Sequence, residues 1–311
     1  MIALDVMGGD HAPQALLRGA LSAAKSKIPV KLFGPEAIII AELNALDTLW
    51  QQYSLTIVDS LSHIEMDEEP VTAIRQKRDS SLVKAVNSVR DGHCSAVISA
   101  GNSGALMVAS TLILGRLSGV ERPAIAGFLP AINGPVVALD LGANTECRAH
   151  HLVQFAQMGA DYAIKALCID KPRIGLLANG HEDRKGSVLT KEAFALLKET
   201  SLNFVGNVEP YDVFTNKVDV VVCDGFSGNI LLKTMEAIFE LFAGSLKAEK
   251  YNKDQPGGAL LLGVQGCTIV CHGNSDADDI HRAIKLAHAQ HKAAREMQSS
   301  PLNPISHQTP A

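Results

Sequence analysis

Ala96 to Met107 reads AVISAGNSGALM, and Val218 to Thr234 reads VDVVVCDGFSGNILLKT. Each stretch opens on a short β-branched run, reaches Ser99 or Asp224 at the strand's end, passes through small residues and continues into an apolar-periodic helical segment. Glycines let a backbone approach a ligand closely, and the first N–H groups of a helix point at that ligand with the positive end of the helix dipole behind them. Two such junctions in one chain predict an α/β enzyme that handles a phosphate or an oxyanion.

Outward from these junctions, strand-like and helical segments alternate. Ile2 to Val6 predicts a strand, followed by the loop MGGDHAP and a helix from about Pro13 to Ala24, where proline suits a first turn. Further strands are expected at Val30 to Phe33, Leu55 to Val58, Arg173 to Leu177, Asp219 to Cys223 and Cys267 to Cys271. Helices are expected at Pro35 to Leu46, Ala105 to Leu114, Leu189 to Thr200 and Ile230 to Ala243. The apolar tract Pro123 to Leu141, broken by Pro130, Asn133, Gly134 and Pro135, reads as two strands joined by a turn rather than a membrane span. The pattern predicts an α/β fold with a mostly parallel sheet covered by helices on both faces, and ligands at the carboxyl ends of its strands. Residues 1–296 are expected to form a single catalytic domain, with room for two lobes. The polar stretch Lys247 to Gly258 reads as a surface connection, and residues 297–311 as a disordered tail.

With 311 residues, 47% apolar and only 5% aromatic, the chain can pack a Val/Ile/Leu/Ala core between sheet and helices. Its net charge of −5 argues against nucleic acid as a partner. Six scattered cysteines, with no signal-peptide pattern before Ile2, predict reduced thiols in a cytosol.

The individual loops carry different weights. MGGDHAP lacks the G-x-G-x-x-G spacing of a dinucleotide site, and Gly8, Gly9 and Asp10 read as a tight turn that could also present N–H groups to an anion. In SAGNSGAL, the residues Gly101, Asn102, Ser103 and Gly104 form either an anion cradle or an ordinary helix cap. No lysine stands in the Walker position. LDLGAN places Asp140 and Asn144 at another strand end. In GHEDRKG, Lys185 is a candidate anion ligand, whereas Glu182, Asp183 and Arg184 read as a solvated face. In DGFSGN, Phe226 is expected to pack in a pocket while Gly225, Gly228 and Asn229 face ligand, with the Asn229 amide available to a developing oxyanion. His272 is a base, a ligand or a structural histidine. His150-His151 and Cys267-x-x-x-Cys271 lack the spacing of a zinc site, so no metal is assigned.

Taken in order, LDVMGGDHAP, SAGNSGAL, ERPAIAGFLP, LDLGAN, VQFAQMGADYA, NFVGNVE, VDVVVCDGFSGNILLKT, and GGALLLG followed by HGNS resemble the phosphate acyltransferase (PlsX) family of bacterial phospholipid synthesis. The resemblance implies transfer of a fatty acyl group from acyl carrier protein to inorganic phosphate, with no cofactor. It also implies a fold similar to that of isocitrate and isopropylmalate dehydrogenases and phosphotransacetylases. On this reading Lys185 holds phosphate and Asn229 the thioester carbonyl oxygen. Gly8, Gly9, Asp10, Ser99, Gly101, Asn102, Ser103, Gly104, Asn144, Asp224, Gly225, Gly228 and His272 line the pocket. The resemblance further implies a cytoplasmic homodimer with peripheral membrane contact.

The chain departs from the family pattern at Ala178-Asn179-Gly180, where Asn-Ile-Gly is usual. It departs again in the shorter interval from Glu236 to Gly257, with Ala237 for a glycine, the region family members use for membrane attachment and dimer contacts. Two rival functions are a dehydrogenase of the isocitrate type, which needs an aspartate cluster for a divalent metal, and a catalytically silent module that binds carrier protein. Arg75, Lys77 and Arg78 offer an acidic carrier a basic contact under either the enzymatic or the silent reading.

Overall fold

Among the described residues, short β-branched runs bounded by glycine or polar turns form eleven strands in one continuous sheet. The computed structural model describes residues 1–242 and 256–299. The strands are β1 (Ile2–Asp5), β2 (Val30–Gly34), β3 (Leu55–Asp59), β4 (Ala96–Ser99), β5 (Ala124–Leu129), β6 (Val136–Leu139), β7 (Ile174–Leu177), β8 (Phe204–Val208), β9 (Val220–Val222), β10 (Ala259–Leu262) and β11 (Cys267–Val270). Their order across the sheet is β3-β2-β1-β4-β11-β10-β5-β6-β9-β7-β8. The helices are α1 (Gln14–Lys25), α2 (Glu36–Leu46), α3 (Pro70–Gln76), α4 (Ser81–Arg90), α5 (Ser103–Ala109), α6 (Ala149–Leu167), α7 (Val188–Lys198), α8 (Pro210–Phe214), α9 (Gly225–Leu241) and α10 (Ala277–Ser299).

Period-two alternation sorts each central strand between two apolar layers. Ile2 and Leu4 of β1 join Leu16, Leu17 and Ala20 of α1 and Ile280 and Ile284 of α10, while Ala3 joins Leu82 and Val86 of α4 and Leu106 of α5. In β6, Val137 and Leu139 meet Leu152 and Phe155 of α6, and Val136 and Ala138 share a cluster with Met235 of α9. Both faces of the sheet are thereby covered, as a run of wholly buried strands demands.

The sheet is mostly parallel, with an antiparallel seam. β10 pairs antiparallel with both β11 and β5, and β5 pairs antiparallel with β6. The tract from Pro123 to Leu141 is the expected strand pair, joined by the turn around Asn133 and Gly134. Because of the seam, β6, β9, β7 and β8 run opposite to β3, β2, β1, β4 and β11.

Other boundaries differ from expectation. α9 begins at Gly225 rather than Ile230, since Asp224 caps it: Oδ1 accepts from Ser227 N–H at 2.9 Å and Oδ2 from Ser227 Oγ at 2.9 Å. α10 runs through Met297, Gln298 and Ser299, so these three residues are helical rather than part of a tail. Residues 243–255 and 300–311 lie outside the described residues, and with them Ala243 at the end of the expected helix and residues 247–255 of the expected surface connection.

Candidate functional site

Two groups of loops leave the carboxyl ends of the two sets of strands. In the first group, β1, β4 and β11 lie side by side and parallel, with Leu4 beside Ile98 and Ser99 beside Val270. Buried Asp5 accepts a hydrogen bond from Ser99 Oγ at 2.8 Å, and Ser99 Oγ accepts from Gly101 N–H at 3.1 Å. Burial raises the Asp5 carboxyl above its ordinary value, against the hydrogen bonds that lower it. The MGGDHAP loop is pressed onto the Gly101 turn so closely that a Cβ at Gly8 would lie 2.6 Å from Gly101 N. Gly8 is therefore required by backbone-to-backbone packing.

Asn102 is fully engaged. Its Oδ1 caps α5 by accepting from Ala105 N–H at 2.9 Å, and its Nδ2 donates to the carbonyls of Glu65, Met66 and Glu68 at 3.3, 3.2 and 2.9 Å. Its expected place among the ligand-facing residues is thus taken by a structural role. Ser103 is exposed at the mouth of the same turn, Gly104 is half-buried, and Asp10 N–H donates to Gly273 O at 2.7 Å. Asp10, His11, Gln14, Arg18, Asp276 and Asp278 line an adjoining cleft of about 550 Å³.

The second group belongs to the adjacent parallel strands β6, β9 and β7. Asp140 is wholly buried and organises its loop: Oδ1 accepts from Ile125, Gly142 and Ala143 N–H at 3.0, 3.2 and 3.0 Å, and Oδ2 from Asn144 N–H and Nδ2 at 2.7 and 2.8 Å. Burial raises its carboxyl despite these donors. Asn144 Nδ2 also donates to Pro123 O at 2.7 Å, and Asn144 O accepts from Gly225 N–H at 2.7 Å, so Asn144 joins the loops instead of facing ligand with its amide. A Cβ on Gly228 would lie 1.9 Å from Asp140 O, so α9 packs directly on that carbonyl.

The buried stripe Gly225, Gly228 and Met235 fixes the rotation of α9. Phe226, one helical step off that stripe, is 61% exposed, contrary to the pocket expected for it. Asn229 is half-buried beside Gly142, and its amide has no hydrogen-bond partner among the described residues.

Lys185 stands on the loop after β7. Its ammonium is unpaired among the described residues, and its stem lies across Gly180, where a Cβ would come 2.8 Å from Lys185 Cγ. Sequence reading missed what surrounds that loop. His181 Nε2 bonds Asp212 Oδ2 at 2.5 Å, and Asp212 also binds Lys217 and accepts from Glu209 N–H at 3.0 Å. Burial pushes the Asp212 carboxyl up, but these donors overcome it and hold it at about 2. A folded-state value below the unfolded one stabilises above about pH 4, and the benefit is lost as pH falls toward the folded value. Asp212→Asn is therefore expected to cost about 2 kcal/mol at neutral pH. The gap from the parent protein should close on acidification, as measured by urea unfolding across pH.

The two loop groups leave strands of opposite direction, so the groups start from opposite ends of the sheet rather than from one carboxyl edge. Two contacts connect them. His272, after β11, places Nε2 3.6 Å from Glu236 Oε2 of α9, and Met107 of α5 packs on the cluster containing Ile125, Met235 and Leu261.

Covalent catalysis by cysteine is disfavoured. Burial, then the charges of Asp140 and Asp224, push the Cys147 thiol up to about 11; burial likewise raises Cys223, Cys267 and Cys271. Alkylation of the native protein is expected to modify exposed Cys168 and leave turnover unchanged, as read by mass spectrometry and rate on the same sample.

Glu121, His150 and His151 are the one group of three among the described residues whose His, Cys or carboxylate ligand atoms lie mutually close enough to hold a metal ion. His151 Nδ1 accepts from Arg148 N–H at 3.0 Å, which leaves the neutral ring's proton on Nε2, facing Glu121 at 3.5 Å. The hydrogen bonding gives His151 a capping and pairing role rather than a free lone pair for a metal. Of the basic trio, Lys77 is held by Glu68 and by His63 O at 2.9 Å, whereas Arg75 and Arg78 are exposed.

Residues 1–253 match the family model described as "Fatty acid synthesis protein". The phosphate acyltransferase of Pelotomaculum thermopropionicum is 44% identical over 310 residues, covering 92% of this chain and 90% of its own. A phosphotransacetylase structure from Streptococcus pyogenes superposes with a TM-score of 0.66 at 19% identity, covering 95% of this chain and 94% of that one. The 4-hydroxythreonine-4-phosphate dehydrogenase of Klebsiella pneumoniae gives 0.58 at 14% identity, covering 94% and 99%, so the architecture itself is common to acyl transfer and dehydrogenation. Sequence kinship across nine-tenths of both chains separates the two: the chain belongs to the fatty acid synthesis protein family, that of the phosphate acyltransferases.

Proposed function

We propose that this chain transfers an acyl group from acyl carrier protein to inorganic phosphate, giving acyl phosphate and the free carrier thiol. The observation that carries this reading is a pair of donors with no partner among the described residues, the Lys185 ammonium on the loop after β7 and the Asn229 amide in the N-terminal part of α9, which follows the adjacent parallel strand β9. Hydrogen phosphate is already anionic at neutral pH, so positioning and desolvation matter more than a strong base. A phosphate oxygen attacks the thioester carbonyl carbon, the C–O bond forms and the C–S bond breaks. The phosphate's hydroxyl proton ends on the departing sulfur. Lys185 compensates charge on the phosphate, and Asn229 Nδ2–H donates to the carbonyl oxygen as it gains charge. The high-lying cysteine thiols favour this direct route over an acyl-cysteine intermediate.

The same reading has the enzyme work in the cytoplasm as a homodimer, with peripheral contact to the membrane. Phe226, Ile230, Ile238 and Leu241 of α9 are exposed apolar residues that support self-association. No helix of the described residues is long and apolar enough to cross a membrane.

Incubation with acyl carrier thioester separates this function from its rivals. Thiol release that requires phosphate, with acyl phosphate trapped by hydroxylamine, is the expected result. Binding of the carrier without thiol release would contradict it. Lys185→Ala is expected to raise the phosphate KM by about tenfold or more, since an ion pair to a phosphate is a strong, charge-assisted contact.

A further inference from the structure

Lys185 is useful only if its short loop holds still, and the structure shows what holds it. The carbonyl of Glu182 closes the turn by accepting Lys185 N–H at 2.9 Å, and it also accepts Asn207 Nδ2–H at 2.9 Å. Both lone pairs of one carbonyl are thus used, one by the candidate catalytic residue's own backbone and the other by a side chain from β8.

Asn207 is an unusual occupant of its position. It lies in β8, beside Leu176 of β7, and is 5% exposed. Its Oδ1 is buried with no hydrogen-bond partner among the described residues. An orphaned buried acceptor lowers stability, and an apolar residue of similar size would avoid that cost. What an apolar residue could not do is donate to Glu182 O. The rest of the loop is fastened on either side by His181 to Asp212 at 2.5 Å and by Asp183 Oδ2 to Lys198 Nζ at 2.7 Å. The Lys198 ammonium in turn sits 4.7 Å from the centre of the Phe194 ring. Only the Asn207 contact reaches the carbonyl that defines the turn at Lys185.

We infer that Asn207 is a positioning residue for Lys185, fixing the ammonium where phosphate binds by holding the Glu182 carbonyl. The inference rests on the phosphate role proposed for Lys185. It assigns no contact between Asn207 and substrate, so its signature lies in the coupling of two residues rather than in loss of activity alone.

The test is a double-mutant cycle of Asn207→Ala and Lys185→Ala, read as the KM for phosphate and the KM for acyl carrier thioester in initial rates. Asn207→Ala in the parent protein is expected to raise the phosphate KM roughly tenfold and to leave the thioester KM within about twofold. Added to Lys185→Ala, it should change the phosphate KM by less than about twofold, because the group it positions is gone. Should the alanine variant not accumulate as folded protein, Asn207→Ser fits the same space and is read in the same cycle. An unchanged phosphate KM in the single variant, or the full effect persisting on top of Lys185→Ala, overturns the inference while leaving Lys185 in its role. A parent-like phosphate KM in Lys185→Ala by itself overturns the Lys185 assignment and, with it, this one.

Discussion

Asn229→Ala is expected to lower kcat about 10²–10³-fold, the range for removing one oxyanion donor, with both KM values within a few fold of the parent. The asymmetry follows from where the amide acts. A thioester carbonyl oxygen carries little charge before attack and nearly a full charge after it, so a donor aimed at that oxygen is stronger in the transition state than in the ground state. Asn229 is half-buried, and its side chain has no hydrogen-bond partner among the described residues, so truncation leaves no orphaned partner behind. Alanine is also the better helix former at this position in α9. Folding should therefore be unharmed, and steady-state kinetics beside a thermal unfolding curve check both halves of the prediction. A parent-like kcat would remove Asn229 from the mechanism.

Gly228→Ala is expected to produce the largest loss of stability. In an ordinary helix the change would be worth about 1 kcal/mol of stabilisation. Here the new Cβ would lie 1.9 Å from Asp140 O and 2.9 Å from Cys223 Sγ. The first of these is backbone and is fixed by the ladder of β6 on β9 and by the five donors on the Asp140 carboxylate, so no rotamer change relieves the overlap. α9 would have to move away from the sheet, which exposes the apolar cluster around Met235 and displaces Asn229 one residue further along. A loss of about 3 kcal/mol or more is expected, seen as a fall of roughly 5 °C or more in the unfolding midpoint. A stabilised variant would mean that the packing of α9 on Asp140 is not as described.

The contrast between these residues shows what the sequence made legible. The strand-to-helix junctions could be read because β-branched runs and helical periodicity are local signals: β4 spans Ala96–Ser99 as expected, and the tract after Pro123 divides into β5 and β6. Ligand contact was not legible from glycine and asparagine alone. Gly8 and Gly228 are there because backbones touch backbones, Asn102 because α5 and the 65–68 segment share its amide, and Asn144 because two loops do. Each of these demands comes from residues distant in the chain. Phe226 was misread for a related reason: its exposure depends on the rotation of α9, which Gly225 and Gly228 set against the Asp140 loop.

The antiparallel seam was equally hidden. β10 is Ala259–Leu262, a short apolar run with nothing in its own residues to state its direction, yet it pairs antiparallel with both β11 and β5, and the antiparallel pairing of β5 with β6 beyond it reverses the second half of the sheet. Asn207 offered a weak signal, a polar residue inside the strand-like NFVGNVE, which becomes meaningful once Glu182 O is placed against it.

The proposed transfer requires orthophosphate to bind between the loop after β7 and the start of α9. A crystal structure of the protein soaked with vanadate, read at the anion's own density, tests this most directly. The anion is expected within hydrogen-bond reach of Lys185 Nζ, close to the Asn229 amide. An anion held instead by the Gly101 to Gly104 turn alone, with Lys185 and Asn229 both turned away from it, would contradict it.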